Sequence, residues 1–78
     1  MDKRMAIIKI TPELLERSLH IKNDALIINM FQTDLDKMSG IFSATLTGVS
    51  KALYLVPEGG VIPIIPITDI QEDDNGQD

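Results

Sequence analysis

Cysteine and tryptophan are absent from this sequence of 78 residues, and histidine occurs once, at His20. Without cysteine the chain can form no disulfide bond, no thiolate metal site and no cysteine nucleophile. Long hydrophobic runs are missing too, since none approaches the roughly 18 residues of a membrane-spanning helix and the N-terminus lacks a signal-peptide core. We therefore expect a cytoplasmic protein that is neither secreted nor embedded in a membrane.

Clustered basic residues are also lacking. All seven bases lie between residues 1 and 68, where seven acids balance them, and the net charge of -5 comes from five acids in the last ten residues. Binding to nucleic acid is not favoured, because counterion release needs grouped Lys and Arg side chains. Mimicry of nucleic acid is not favoured either, because a mimic needs its acids fixed on a folded face. The composition instead predicts a disordered acidic tail at residues 71–78.

The length of the chain predicts one domain, residues 1–70, with a thin core. A chain this short buries only about 60% of the surface that its unfolded form exposes, so burial against another subunit would add substantially to its stability. We therefore expect a homo-oligomer.

The pattern of apolar residues predicts a small α+β domain with the element order β-α-β-β(-β), one helix and an antiparallel sheet. Residues 6–10 form a β-branched run that is typical of a strand. Thr11, Pro12 and Glu13 then mark the start of a helix, since they supply a capping hydroxyl, a residue suited to the first turn and an acid at the positive end of the dipole. The helix should end near His20.

Two further strands, at residues 25–32 and 41–47, are predicted to form an antiparallel hairpin, joined by a polar turn connection at residues 33–40. A short strand should follow at residues 51–56. In the first hairpin strand, one face should carry Leu26, Ile28 and Met30 and the other Ile27, Asn29 and Phe31. In the second, the inward residues should be Phe42, Ala44 and Leu46 and the outward ones Ser43, Thr45 and Thr47.

The segment at residues 61–67 is apolar, yet it contains Pro63 and Pro66 and follows a Pro-Glu-Gly-Gly turn at residues 57–60. Each proline removes a donor from a strand ladder, so the segment is predicted to be an edge strand or an arm rather than an interior strand. Its apolar side chains are the predicted oligomer or partner interface. They are Ile62, Ile64, Ile65 and Ile67.

No set of residues predicts catalysis or a metal site. His20 has no partner spaced to orient it, and Asp34 and Asp36 lack the glycine and the closing glutamate of a calcium loop. Gly59 and Gly60 lie between extended segments and match neither phosphate-loop pattern. We therefore predict a protein that is not an enzyme and that holds no metal or cofactor.

An anion site remains open as an alternative, because a subunit junction can bring scattered bases together around a phosphate group. Solvated bases with no ligand are the other interpretation of the same residues. The candidate ligand contacts are Arg17, Lys22, Lys51 and Tyr54, with the tyrosine ring as a stacking surface.

The opening at residues 8–15 (IKITPELL), the hairpin and the late VPEGGVIP at residues 56–63 resemble small phage- and prophage-encoded proteins of unassigned function. The resemblance covers most of residues 6–67 and rests on structural motifs. It implies a viral accessory role, and small phage proteins of this kind include inhibitors of host defence. The leading hypothesis is thus a non-enzymatic accessory protein that binds and inhibits a host protein. The alternative is an oligomeric binder that sequesters a signalling nucleotide.

Overall fold

The computed structural model describes residues 2–16 and 20–71. Within these residues the chain forms four strands, two short α-helices and one turn of 3-10 helix. In chain order they are β1 (Lys3–Ile10), α1 (Pro12–Glu16), β2 (Ala25–Phe31), α2 (Asp34–Ser39), β3 (Phe42–Gly48), β4 (Tyr54–Val56) and the 3-10 turn η1 (Ile67–Asp69).

The four strands form one sheet in the order β2-β3-β1-β4, and every neighbouring pair is antiparallel. The predicted α+β class is therefore confirmed. β1 lies inside the sheet, with β3 on one side and β4 on the other, although it comes first in the chain. The predicted hairpin of β2 and β3 is also confirmed.

One face of the sheet, which we call the core face, carries the hydrophobic core. Cross-strand partners share a face, so the pairs Ala6 with Leu46 and Ile8 with Ala44 place the even-numbered residues of β1 and β3 together on this side. Leu14 of α1 and Ile67 of η1 pack against the cluster. The buried cluster consists of Ala6, Ile8, Ile10, Ala25, Ala44, Leu46, Leu53, Ile65 and Ile70.

The start of α1 follows the predicted capping chemistry. The Leu14 amide donates to Thr11 Oγ1 at 3.4 Å and to the Thr11 carbonyl at 3.1 Å, so the residue before Pro12 satisfies a free amide of the first turn. The helix is described as far as Glu16, residues 17–19 lie outside the described part, and His20 is not helical.

The connection between β2 and β3 contains a helix, so the prediction of a plain turn there and of a single helix in the chain was wrong. Thr33 caps α2: its hydroxyl accepts from the Asp36 amide at 3.1 Å, while the Asp36 carboxylate accepts from the Thr33 amide at 3.1 Å. This reciprocal capping box satisfies two backbone donors that a helix start leaves unpaired. Gly40 ends the helix in a left-handed conformation.

The register of β2 shifts between Ile27 and Asn29, which makes the predicted division of its faces wrong. Before the shift Ile27 pairs with Leu46, and after it Met30 pairs with Ala44, so both belong to the core face. Leu26 and Asn29 lie on the opposite side. A bulge adds one residue to one strand, and from that point the alternation is displaced by one position.

Gly48 ends β3 at a position where no side chain fits. Its φ is 153°, which L-residues rarely adopt, and a β-carbon added there would overlap the carbonyl oxygen of Asp24. That oxygen accepts hydrogen bonds from the Val49 and Ser50 amides, both at 3.0 Å. This close contact holds the start of β2 against the end of β3.

The proline-containing segment folds along the free side of β1 beyond β4. The Ile7 amide donates to the Pro63 carbonyl at 2.8 Å, and the Ile65 amide donates to the Ile7 carbonyl at 2.9 Å. The contact is a single parallel bridge between Ile7 and Ile64. Pro63 and Pro66 flank it without having to donate, as expected for an edge segment.

The described chain ends beside the N-terminal half of the fold. Gln71 forms an isolated antiparallel bridge with Ile21, so the first residue of the predicted acidic tail belongs to the folded part. The rest of that predicted tail, residues 72–78, lies outside the described residues. Among the described residues, no helix is long and apolar enough to cross a membrane.

Candidate binding surfaces

A buried polar cluster joins α2 to the sheet. Asp36 is 5% exposed, and its carboxylate accepts from Lys9 Nζ at 2.8 Å and from Ser43 Oγ at 2.5 Å. Lys9 Nζ also donates to Ser43 Oγ at 2.8 Å. The hydrogen bonds from Lys9 first, and then from Ser43, hold the pKa of the Asp36 carboxyl well below its ordinary range.

The predicted division of the β3 faces is confirmed, because Ser43 and Thr45 lie opposite the core residues Ala44 and Leu46. Both are nevertheless buried, and the polar cluster explains this for Ser43. α2 reaches this side of the sheet through the Asp36 side chain. The Ser43 hydroxyl donates a hydrogen bond to Asp36 and accepts one from Lys9, and the residue is 0% exposed. The hydrogen bonds from Ser43 and Lys9 to Asp36 therefore fasten α2 to the sheet, and solvent does not reach the hydroxyl.

The four predicted interface isoleucines are placed in different surroundings. Ile65 is 5% exposed and belongs to the core cluster, and Ile67 packs against that cluster from a half-buried position. Ile64 is 62% exposed, while Ile62 is half-buried. Ile65 is thus used within its own subunit, and Ile64 is the member of the set most available to another surface.

The face opposite the core, which we call the open face, carries apolar side chains that remain accessible. Met5 and Ile7 of β1 lie on it, because odd-numbered residues of this strand alternate with the buried even-numbered ones. Tyr54 pairs with Met5 and is 58% exposed, and Ile64 pairs with Ile7. Leu26 of β2 pairs with Thr47 on the same side and is 63% exposed.

A pocket of about 360 Å³, which we call the turn pocket, lies at the β4 end of the open face. Met5, Val56 and Ile62 contribute apolar side chains to its lining, and Lys3 contributes a charged one. The turn at residues 57–60 forms the remaining wall, closed by a 2.8 Å hydrogen bond from the Gly60 amide to the Pro57 carbonyl. Gly59 provides the positive φ of 79° that the turn needs.

A second concavity, which we call the basic cleft, lies near the start of β4 and measures about 460 Å³. It brings Arg4 of β1 together with the candidate residue Lys51, and Asp69 of η1 adds a carboxylate. Lys22, another candidate, donates from Nζ to the Asp69 carbonyl at 3.4 Å, which places a further ammonium beside the cleft. Arg17 lies outside the described residues.

Tyr54, the fourth candidate, also lines the basic cleft, but its strand position separates it from Arg4. Arg4 pairs with Leu55, and Met5 pairs with Tyr54, so Leu55 shares the face of Arg4 and the tyrosine occupies the other face. Leu55, 58% exposed, is therefore the apolar strand residue on the same face as Arg4. Sequence reasoning missed Leu55 and Asp69 as cleft residues, because no local pattern links them to Arg4.

No group of three or more His, Asp or Glu side chains able to hold an ion is found within residues 2–16 and 20–71. In comparisons with known proteins, the chain matches no protein-family model, no curated protein and no solved structure.

Proposed function

We propose that this chain is a non-enzymatic binding protein, a phage accessory factor that acts in the host cytoplasm by binding and inhibiting a host protein. The observation that supports a binding role is the open face, where accessible apolar side chains surround the turn pocket. Apolar patches of this kind on small soluble domains commonly serve as interaction sites. The phage and host-defence parts of the proposal rest on the sequence resemblance.

The turn pocket is the proposed anchor point for the partner. Its volume of about 360 Å³ falls in the range of ligand-sized concavities, and Met5, Val56 and Ile62 offer an apolar lining for one large side chain. Interfaces draw most of their binding energy from a few such buried anchors, and the surrounding contacts exclude water. Ile64 and Tyr54, on the same face, would supply these surrounding contacts.

The test is a substitution that places charge on the open face without touching the core. We expect Ile64→Lys to lose a partner captured from host lysate by the wild-type protein, because burying an unpaired ammonium is costly. Val49→Lys is the matched control, since Val49 is 79% exposed and lies beyond the end of β3. Equal capture by all three proteins would count against the open face, provided that their thermal melting temperatures agree.

Self-association is part of the proposal, and the open face is its proposed surface. A second copy could cover the apolar side chains of the first through a twofold contact, the commonest arrangement in homo-oligomers. Native mass spectrometry of the wild type at micromolar concentration should show an oligomer that Ile64→Lys converts to monomer. A wild type that is monomeric at that concentration would remove self-association and leave the partner proposal to the capture experiment.

A further inference from the structure

We propose that the basic cleft binds a small phosphorylated ligand that also carries hydrogen-bond donors, of the chemical class of a mononucleotide. The protein has a net charge of -5, yet Arg4 and Lys51 line one concavity of about 460 Å³ with Lys22 beside it. These cations come from three distant parts of the chain.

Arg4 is the positioned cation of the cleft. One of its terminal nitrogens donates to the Leu53 carbonyl at 2.9 Å, and this bond holds the half-buried guanidinium against the 50–53 loop. A guanidinium has five N–H donors, and among the described residues no other contact of Arg4 involves them. The remaining donors match the oxygen atoms of a phosphate group, which arginine recognises through paired hydrogen bonds.

Lys51 supplies a second charge from the 50–53 loop that holds Arg4. It is exposed, and within the described part of the chain its ammonium has neither a salt bridge nor a hydrogen bond. The Lys9 ammonium, by contrast, already donates hydrogen bonds to Asp36 and Ser43. Lys51 is therefore available to an anion, and a phosphate in the cleft could contact both cations.

Asp69 and Leu55 restrict the ligand further. A carboxylate in a cleft for anions repels a bare phosphate, whereas it accepts hydrogen bonds from the hydroxyl or amino groups of a larger ligand. Leu55 is 58% exposed on the same face as Arg4 and offers an apolar surface to a planar ring. A phosphate, hydroxyl groups and a flat ring occur together in a mononucleotide. A nucleic-acid polymer fits poorly, because it needs an extended track of cations.

Apart from Tyr54, which lines the cleft and also belongs to the open face, the two sites use different residues. Arg4 and Leu55 lie on the core-face side of their strands, whereas the open face carries Met5, Tyr54 and Ile64. Ile64→Lys should therefore leave ligand binding unchanged, and substitutions in the cleft should leave partner capture unchanged.

The experiment is isothermal titration calorimetry of the full chain with adenosine 5′-monophosphate, ribose 5-phosphate, adenosine and inorganic phosphate. We expect the nucleotide to bind more tightly than either inorganic phosphate or adenosine. Lys51→Gln should weaken nucleotide binding about two- to fivefold, as for an exposed charge pair. Lys37→Gln is the matched control, because Lys37 is an exposed lysine of α2 outside the cleft.

The titrations with the other compounds distinguish between the classes of ligand. Ribose 5-phosphate binding as tightly as the nucleotide would overturn the assignment of the ring to Leu55, and equal affinity for inorganic phosphate would overturn the site as a nucleotide site. An absence of heat with all four compounds at millimolar concentration would overturn it too, as would a Lys51→Gln variant that binds like Lys37→Gln. Thermal melting of each variant without ligand verifies that the fold is retained.

Discussion

Lys9 Nζ lies 2.8 Å from Asp36 Oδ1, and this ion pair joins the strand β1 to the helix α2 across 27 residues of sequence. Lys9 is partly exposed, whereas Asp36 is buried. The carboxylate is fully engaged, because Ser43 and the Thr33 amide bind its second oxygen. The pair therefore holds α2 in position and also compensates the charge of the buried Asp36 carboxylate.

The first prediction concerns acid stability. The pKa of Asp36 is lowered in the folded protein, mainly by the hydrogen bond from Lys9, so below about pH 4 the unfolded chain binds a proton that the folded chain does not. The contribution is present above the unfolded pKa and is lost as the pH falls toward the folded one. We expect urea unfolding at pH 3 and pH 7 to differ less in Asp36→Asn than in the wild type.

Asp34→Asn provides the control for that experiment. Asp34 is an exposed acid in the first turn of the same helix, and among the described residues its carboxylate has no hydrogen-bond partner. Its substitution should preserve the wild-type dependence on pH. If Asp34→Asn and Asp36→Asn flatten the dependence equally, the acid sensitivity does not come from the buried pair.

The second prediction concerns the hydroxyl of Ser43. Ser43→Ala removes a donor to Asp36 and an acceptor for Lys9 at a position that is 0% exposed. We expect a loss of about 1–3 kcal/mol in the free energy of unfolding, the usual cost of leaving buried polar groups unsatisfied. Ser39→Ala, at the exposed end of α2, should change stability by less than about 0.5 kcal/mol. Chemical denaturation at neutral pH measures both.

The third prediction compares two glycines. Gly48→Ala introduces a β-carbon that overlaps the Asp24 carbonyl, so we expect a loss of about 1–3 kcal/mol from strain at the β2–β3 junction. Gly40→Asn places a side chain in open space at a left-handed position that asparagine tolerates, and its cost should be much smaller. Similar losses in the two variants would mean that the approach of Asp24 to Gly48 is looser than described.

The fourth prediction compares Ile64 and Ile65, which are neighbours in the proline-containing segment and lie on opposite sides of it. Ile65→Ala leaves a gap in the core cluster and should cost about 2–5 kcal/mol, whereas Ile64→Ala at a position that is 62% exposed should be nearly neutral for folding. Thermal unfolding at a concentration low enough to dissociate oligomers separates the two effects. If Ile64→Ala lowered the stability more than Ile65→Ala, then Ile64 rather than Ile65 would face the core.

The sequence predicted the elements with strong local signals and missed those that depend on distant contacts. Thr11, Pro12 and Glu13 contain their capping chemistry within three positions, so the start of α1 was predictable. Thr33 and Asp36 also have the spacing of a capping box, but α2 has only six residues and its Leu35 and Met38 are exposed, so no apolar period marks it.

Surfaces were harder to predict than elements. The bulge in β2 has no glycine or proline to mark it, and alternation alone therefore assigned Ile28 and Met30 to one face. The fold brings the candidates Lys22 and Lys51 to one region, and Arg4 and Asp69 line the same cleft because β1 and η1 lie close together. Contacts between residues this far apart leave no trace in local spacing.

The bridge between Ile7 and the 63–65 segment has a consequence for the handling of this protein. Ile7 lies beyond the part of β1 that pairs with β4. The bridge occupies the backbone amide and carbonyl of Ile7. A protease cut in the exposed turn at residues 57–60 would leave the segment held by non-covalent contacts alone, and each detachment of it would turn the middle of β1 into a bare strand edge. Such edges recruit strands from other molecules. A nicked preparation should therefore precipitate where the intact chain remains dissolved.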